Sequence, residues 1–143
     1  MSKFALLKID TVKGDRKFSK LEIDGYCEFD DYEVNVRVNY DSQMNSIYHR
    51  MDSLSRGEKL PPKQFRILKG GLKNVTECEI KTDNLRVYYY IDKKDGNIII
   101  IGGYKKGQEK DINRFRGIIK RYHETKKEIK WKEKNYLRAK NIG

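Results

Sequence analysis

The stretch with the clearest pattern runs from residue 75 to residue 105 and reads VTECEIKTDNLRVYYYIDKKDGNIIIIGGYK. Three runs rich in β-branched and aromatic residues are separated by two short polar segments, TDN and KKDG, that are typical of turns. Because turns this short join neighbouring antiparallel strands, the stretch predicts a three-stranded meander. The predicted strands are Val75 to Lys81, Leu85 to Asp92 and Asn97 to Ile101.

A two-residue turn at Asp83-Asn84 would set the register between the first two predicted strands. In that register Lys81 lies directly opposite Arg86, and the apolar side chains of both strands fall together on the other face. Like charges that face each other across two strands destabilise the pair by about 0.2–1 kcal/mol. An anion bound between the two side chains would offset this cost, so the pattern favours a binding site at this end of the meander.

A pairing of Asp92 with Asn97 would extend the register into the third predicted strand. It places Arg86 opposite Gly103, with Ile99 and Ile101 on the same face as the guanidinium. Because glycine has no side chain, Gly103 is expected to leave open space beside Arg86 where a backbone can approach. The two isoleucines predict that a helix covers part of this face.

The N-terminal part carries short strand patterns. Asp24-Gly25 is a two-residue hairpin signal between two short apolar runs. Valines alternate with polar residues from Val34 to Tyr40, which is typical of a half-buried strand. The sequence therefore predicts a first strand at 4–9, a hairpin with arms at 21–23 and 26–29, and a strand at 34–40.

Helical patterns follow these strands. Apolar residues recur at helical spacing over 44–54 and end before Gly57, and Pro61-Pro62 opens a shorter helix that continues through Leu68. These two segments predict a helical hairpin. A further helix is predicted from Asp111 onward, with an apolar stripe that thins as lysines become frequent.

Composition and charge narrow the classes of function. The chain has 143 residues, the length of one domain, and a net charge of +11. Residues 100–143 carry 14 bases and five acids, so the excess is concentrated near the C-terminus, which favours a polyanionic partner. His49 and His123 are interpreted as helix-surface residues, and Cys27 and Cys78 as inert core residues.

Several kinds of site are absent from the sequence. The two cysteines and two histidines lack the spacing of zinc ligands, and there is no Gly-rich phosphate loop. No apolar run reaches the roughly 18 residues that a membrane span needs. We therefore expect a cytoplasmic protein with no metal, no small-molecule cofactor and no membrane partner.

Part of the chain resembles a known family. The segment from Leu68-Lys69-Gly70-Gly71-Leu72 through the Leu85-Arg86-Val87-Tyr88-Tyr89 strand to Gly102-Gly103-Tyr104-Lys105-Lys106-Gly107-Gln108 resembles the RelE/HigB-like toxins of type II toxin–antitoxin systems, within the RelE/ParE superfamily. The resemblance implies an α+β, RelE-like single domain over 1–143, in which a helical hairpin and a C-terminal helix pack on an antiparallel sheet. It implies an N-terminal extension with an extra β-hairpin at 1–33, a core at 34–122 and a basic helical tail at 123–143.

The resemblance also implies a function. Most family members are mRNA interferases, metal-independent endoribonucleases that cut messenger RNA on the ribosome by attack of the 2′-hydroxyl. The implied partners are a cognate antitoxin protein, the ribosome and mRNA. Two alternatives stay open: a ParE-like toxin directed at gyrase, and a non-catalytic basic domain that binds nucleic acid.

The site residues follow from the same match. Arg86 would stabilise charge on the phosphate, because its planar fork pairs with two phosphate oxygens, while Glu79 is a candidate general base. RelE-like members carry lysines at the two strand positions that Glu77 and Glu79 occupy here, which leaves the proton-transfer roles open. The predicted catalytic residues are Arg86, Lys81, Lys105 and Lys106, which match family positions, and Glu79, which lies beside Lys81 and Arg86 in the predicted register. The predicted RNA contacts are Tyr88, Tyr104, Lys73 and Arg114.

Overall fold

Two helices pack on a mixed, six-stranded open sheet, so the fold is α+β. The computed structural model describes the backbone of residues 2–142 and the side chains of residues 2–127. The elements in chain order are β1 (Phe4–Lys8), β2 (Phe18–Ile23), α1 (Glu28–Ser55), β3 (Phe65–Ile67), β4 (Thr76–Lys81), β5 (Leu85–Asp92), β6 (Gly96–Tyr104) and α2 (Gln108–Ile142).

The sheet has the order β1-β2-β6-β5-β4-β3. All neighbours are antiparallel except β2 and β6, which are parallel. Helix α1 covers one face and α2 covers the other, so the central strands are buried on both sides. Along β5, Val87 and Tyr89 face α1, whereas Tyr88 and Tyr90 face α2, as the two-residue period of a strand requires.

The predicted meander is confirmed as β4, β5 and β6. Lys81 lies opposite Arg86, and Arg86 lies opposite Gly103, as the register argument expects. A bulge between Tyr88 and Tyr89 then shifts the pairing by one residue, so Asp92 pairs with Gly96 and not with the predicted Asn97. The bulge turns Ile99 toward α1, so its predicted place on the face of Arg86 is wrong, while Ile101 lies under α2 as predicted.

The predicted strand at 34–40 is wrong, because these residues belong to α1. Val34 and Val38 are 70% and 79% exposed, and only Val36 between them is buried. The helix begins at Glu28 with three acidic residues in its first turn, where the helix dipole favours negative charge. Tyr40 has a non-helical backbone and marks a kink within α1.

The predicted N-terminal hairpin differs from the observed pairing. Around Asp24-Gly25 only an isolated bridge joins Ile23 to Tyr26, because the chain enters α1 at Glu28. The long antiparallel partner of β2 is β1. The first predicted strand therefore exists, but it pairs with 18–23 across the connection formed by residues 9–17.

Of the predicted helical hairpin only the first arm is confirmed, since residues 44–54 are helical within α1; the second arm is wrong. Residues 65–67 form β3, an edge strand that pairs with β4, and Phe65 lies near the ring of Tyr89, with ring centroids 6.5 Å apart. Pro61 opens a turn rather than a helix, since its carbonyl accepts the N–H groups of Gln64 and Phe65. Three residues of edge strand are too few to produce a readable pattern, and the kinked α1 takes the place of the hairpin.

The C-terminal helix is confirmed and begins slightly earlier than expected. Gly107, with φ of +91°, precedes Gln108, the first residue of α2. The predicted apolar stripe packs on the sheet through Phe115, Ile118, Ile119 and Tyr122. The backbone is helical to Ile142, and the side chains of the predicted basic tail beyond residue 127 lie outside the described residues.

Candidate nucleic-acid interface

Several predicted site residues meet at one end of the sheet, where β4 ends, β5 begins and β6 ends. The backbone N–H of Lys105 donates to the carbonyl of Asn84 at 2.9 Å, which joins the segment after β6 to the turn between β4 and β5. Lys81 and Arg86 are paired across that turn. We call the accessible residues of this region the basic sheet end: Lys81, Tyr104, Lys105 and Lys106.

Helix α1 holds the turn in place through Gln43. Its side-chain oxygen accepts hydrogen bonds from the Thr82 hydroxyl at 2.6 Å and the Asn84 N–H at 2.9 Å. Its amide nitrogen donates to the Asn84 side chain at 2.8 Å. Sequence reasoning missed this residue, since nothing in a helical pattern shows which polar side chain will reach a distant turn.

The lysines and one tyrosine of the basic sheet end face solvent. Lys105 and Lys106 are exposed and Lys81 is half-buried. Tyr104 is 41% exposed, and the centroid of its ring lies 6.1 Å from the ring centroids of both Tyr32 and Tyr40. The neighbouring rings support Tyr104 at the surface, a geometry suited to stacking on a nucleic-acid base.

Arg86 is placed differently from its predicted role. It is only 7% exposed, and its Nη1 donates to the carbonyls of Thr82 and Leu85 at 2.5 and 2.8 Å. Its Nε is buried without a hydrogen-bond partner among the described residues. In this arrangement the guanidinium closes the β4–β5 turn from beneath α2 rather than facing solvent.

The expected open space over Gly103 is filled. A Cβ placed on Gly103 would lie 2.2 Å from Oδ2 of Asp111, so the carboxylate sits directly on the glycine beside Arg86. Burial raises the pKa of Asp111, although the nearby bases Arg114 and Lys110 lower it. A carboxylate of the chain itself therefore fills the space over Gly103 that the sequence analysis expects to be open.

Two further candidates lie under α2. Glu79 is fully buried and accepts hydrogen bonds from Arg66 at 2.7 Å and from Gln108 at 2.9 Å. Tyr88 is also fully buried against Phe115, and its hydroxyl has no partner among the described residues. Both oxygens of the Glu79 carboxylate are therefore engaged, and the Tyr88 ring is enclosed.

The remaining two predicted contacts do not join the basic sheet end. Lys73 is exposed in the loop before β4, at the opposite end of that strand from Lys81. Arg114 lies on α2, and its guanidinium pairs with Glu28 in the first turn of α1. The structure thus brings together three predicted lysines and one tyrosine, and separates or buries the others.

The chain has no match among known proteins, and its described part shows neither a membrane span nor a metal site. No family model, curated protein or solved structure matches this chain. Among the described residues, no helix is long and apolar enough to cross a membrane. Within the same part of the chain, no three His, Cys, Asp or Glu side chains are grouped so that they could hold a metal ion.

Proposed function

We propose that this chain binds RNA at the basic sheet end and acts as a RelE-like toxin, a ribosome-dependent mRNA endoribonuclease of the cytoplasm with a cognate antitoxin. The observation that carries the proposal is the hydrogen bond between Lys105 and Asn84, which fixes three accessible lysines and an exposed tyrosine at one end of the sheet. The order of two strands, a helix, an antiparallel meander and a C-terminal helix supports it, although strand β3 stands where the second arm of the family's helical hairpin is expected.

The chemistry of these residues suits single-stranded RNA. Lysine ammonium groups neutralise phosphates and release counterions, which gives affinity that falls with salt. A tyrosine at the edge of such a cluster can stack on any base, because every base has a π-face. Lys81, Lys105 and Lys106 would hold successive or neighbouring phosphates, and Tyr104 would stack on a base at the α1 face of the same sheet end.

Cleavage requires more than binding. Attack by the 2′-hydroxyl needs a proton acceptor and stabilisation of the charge that develops on the phosphate. The lysines supply the second requirement, while the buried Arg86 closes the turn that follows Lys81. Glu79 is buried and accepts hydrogen bonds from Arg66 and Gln108. In this proposal the proton is therefore accepted by an exposed group of the basic sheet end or by the ribosome.

The burial of Glu79 and Tyr88 favours a second candidate function, which is binding of nucleic acid without cleavage. A gyrase-directed toxin is a separate non-catalytic candidate, because it also needs no site that cleaves phosphodiester bonds. The two candidates share the basic sheet end and differ only in the chemistry that follows binding.

A cell-free translation reaction separates the two candidates. Purified protein is added to translating ribosomes, and mRNA ends are mapped by primer extension beside a matched tube that lacks ribosomes. The proposal predicts cuts at codon spacing only with ribosomes, and their loss in the double variant Lys105→Ala/Lys106→Ala. Absence of cuts in both tubes, from protein that still binds RNA, would replace the endoribonuclease with the non-catalytic candidate.

A further inference from the structure

A polar groove lies between the edge strand β3 and the first turns of α2. It has a volume of about 700 Å³ and is lined by residues 66–69 on one side and by side chains of α2 on the other. Two arginines line it, Arg66 from β3 and Arg116 from α2. Their side chains are 48% and 23% exposed, so a ligand in the groove can reach both. The function proposed above uses neither of them.

Two buried glutamates hold these arginines on the face of the sheet. Nε of Arg66 donates to Oε1 of Glu79 at 2.7 Å, and Nε of Arg116 donates to Oε1 of Glu77 at 2.8 Å. Glu77 and Glu79 are 1% and 0% exposed. They are alternate residues of β4, so their side chains leave the same face of the sheet about 7 Å apart. Strand β4 therefore fixes two guanidinium groups side by side.

The second oxygen of each carboxylate is engaged as well. Oε2 of Glu79 accepts the Gln108 side chain at 2.9 Å, and Oε2 of Glu77 accepts the N–H of Leu72 at 3.3 Å. A carboxylate that is bound at both oxygens cannot turn away from its arginine. Burial of a carboxylate costs free energy that pairing with an arginine at best offsets, so such pairs add little to stability. The main effect of the two glutamates is therefore to orient the arginines.

The oriented arginines keep donors for a ligand. Within the described part of the chain Arg66 donates only through Nε, so both of its Nη groups stay available. Arg116 also donates through Nη2 to the carbonyl of Lys69 at 2.8 Å, which leaves its Nη1. The nitrogens of a guanidinium form a planar fork that pairs with the oxygens of a phosphate. The groove thus offers two preoriented guanidinium groups to an oxyanion.

The charge of the groove favours an anion that also contacts the neighbouring lysines. Arg66, Lys69 and Arg116 line the groove with three positive charges, against one negative charge from the exposed Glu109. The buried Glu77 and Glu79 offset two of the positive charges from beneath. The groove therefore attracts an anion through directed donors, while the excess positive charge comes from the basic sheet end.

The groove continues into the basic sheet end. Lys81 follows Glu79 by two residues on the same face of β4, and in the β3–β4 register it is the diagonal neighbour of Arg66. Diagonal neighbours on paired strands lie about 7–8 Å apart. On the α2 side Gln108, which lines the groove, follows Lys106 by two residues. Basic side chains therefore form one track from the basic sheet end through the groove.

We propose that Arg66 and Arg116 bind the phosphate backbone of the RNA strand held by the basic sheet end, so that the strand runs on through the groove between β3 and α2. This inference rests on the function proposed above and gives the path of its substrate. A chain of phosphates suits the track, because it meets the lysines and the two guanidinium groups at once. Glu77 and Glu79 are then positioning residues that act through the arginines.

The first test uses the unaltered chain. The Nε–H signals of its arginines are followed by NMR while single-stranded RNA is added. Arg37, whose Nε donates to Glu33 at 2.9 Å on α1, is the internal reference. The signals of Arg66 and Arg116 should shift, while that of Arg37 stays in place. RNA binding that leaves Arg66 and Arg116 unchanged, or that shifts all three signals equally, would overturn the proposal.

Two charge-balanced variants test the same contacts without leaving a buried carboxylate unpaired. They are Arg66→Gln/Glu79→Gln and Arg116→Gln/Glu77→Gln, and both keep the net charge of +11. In each, RNA affinity should fall on the order of tenfold, and the slope of log affinity against log salt should shrink in magnitude by about 0.7. Glu79→Gln alone is the matched control, since it retains Arg66 and an oxygen that can accept its Nε–H. This control should bind RNA at least as tightly as the parent.

The outcomes separate this inference from the function on which it rests. Parent-like RNA affinity in both folded double variants, with binding lost in Lys105→Ala/Lys106→Ala, would overturn the path through the groove and keep the basic sheet end. Absence of RNA binding by the parent would overturn both proposals. Shifts of the Arg66 and Arg116 signals with polyglutamate but not with RNA would replace the RNA strand with an acidic protein, and would also overturn the inference.

Discussion

The backbone N–H of Lys105 donates a 2.9 Å hydrogen bond to the carbonyl oxygen of Asn84. This bond connects the segment between β6 and α2 to the turn between β4 and β5, and so holds Lys105 at the same end of the sheet as Lys81. Gln43 holds the other side of the same turn through three hydrogen bonds. The geometry of the basic sheet end therefore depends on a polar residue of α1 that makes no contribution to its charge.

Replacement of Gln43 should loosen this turn. Gln43→Ala leaves the Thr82 hydroxyl and the Asn84 N–H without their acceptor, so we expect the free energy of unfolding to fall by about 1–2 kcal/mol. Chemical denaturation measures the change. Asn39→Ala, an exposed position one turn earlier in α1, is the matched control and should lie within about 0.5 kcal/mol of the parent. A Gln43→Ala variant as stable as this control would contradict the role assigned to Gln43.

Replacement of Arg86 should mainly lower the stability of the fold, because its guanidinium is buried. Arg86→Ala deletes a buried guanidinium that closes the turn through two carbonyls, so the free energy of unfolding should fall by about 1–3 kcal/mol. The measurement is denaturant unfolding followed by circular dichroism. If the variant were as stable as the parent but lost RNA binding, Arg86 would contact the phosphate directly, as the sequence resemblance implies.

The close approach of Tyr32 to β6 makes Gly102 intolerant of a side chain. A Cβ on Gly102 would lie 2.2 Å from the Tyr32 ring, whose hydroxyl donates to the Gly103 carbonyl at 2.8 Å. Gly102→Ala should therefore destabilise the protein by about 1–3 kcal/mol. Gly117→Ala is the control, because a Cβ there meets nothing within 4 Å and the residue lies inside α2, where alanine is favoured by about 0.5–1 kcal/mol. Thermal unfolding of the two variants should shift in opposite directions, and equal shifts would contradict the packing described for Tyr32.

Asp92 should give a distinctive pH dependence of stability. Burial acts to raise its pKa, but the N–H of Asp95, the Lys126 ammonium and the N–H of Lys94 together hold the pKa below its usual value. A carboxyl whose pKa is lower in the folded state stabilises the fold above its unfolded pKa, near 3.9, and loses this contribution as pH falls through the folded pKa. Asp92→Asn should thus lower the free energy of unfolding by about 1–2 kcal/mol at pH 7.

The difference between Asp92→Asn and the parent should narrow below about pH 4, where the parent carboxyl takes up a proton. Denaturation curves collected from pH 3 to pH 7 provide the measurement. A difference that stays constant across this range would show that the carboxylate charge does not contribute to stability.

The meander could be predicted from sequence because its turns are short and its strands alternate. The register between Lys81 and Arg86 follows directly from a two-residue turn. The valines at 34, 36 and 38 misled the prediction, because alternation with polar residues describes a strand equally well, and only the packing of Val36 under the sheet shows that the segment is helical. Strand β3 escaped prediction because three residues at a sheet edge carry almost no pattern of their own.

The sequence predicted which charged residues lie at this end of the sheet, but not which of their side chains are exposed. The sequence places Arg86 and Glu79 on the same face of the meander, and the structure agrees. It does not show how closely the first turn of α2 covers that face, because this depends on Gln108 reaching Glu79 and on Asp111 resting on Gly103. The partial burial of His123 against Tyr90 was missed for a similar reason, because a histidine on a helix shows its burial only once the opposing strand is in place.

RNA binding measured as a function of salt tests the central claim most directly. Single-stranded RNA is titrated at several salt concentrations into three proteins. They are the parent, the triple variant Lys81→Ala/Lys105→Ala/Lys106→Ala, and a control in which the exposed residues Lys3, Lys8 and Lys13 are replaced by alanine. Each lost phosphate contact lowers the magnitude of the slope of log affinity against log salt by about 0.7. The variant of the basic sheet end should therefore bind RNA more weakly, with a slope smaller in magnitude by about 2. The control should keep the slope of the parent. Equal slopes for the two triple variants would mean that RNA responds only to net charge, and would contradict a binding site at the basic sheet end.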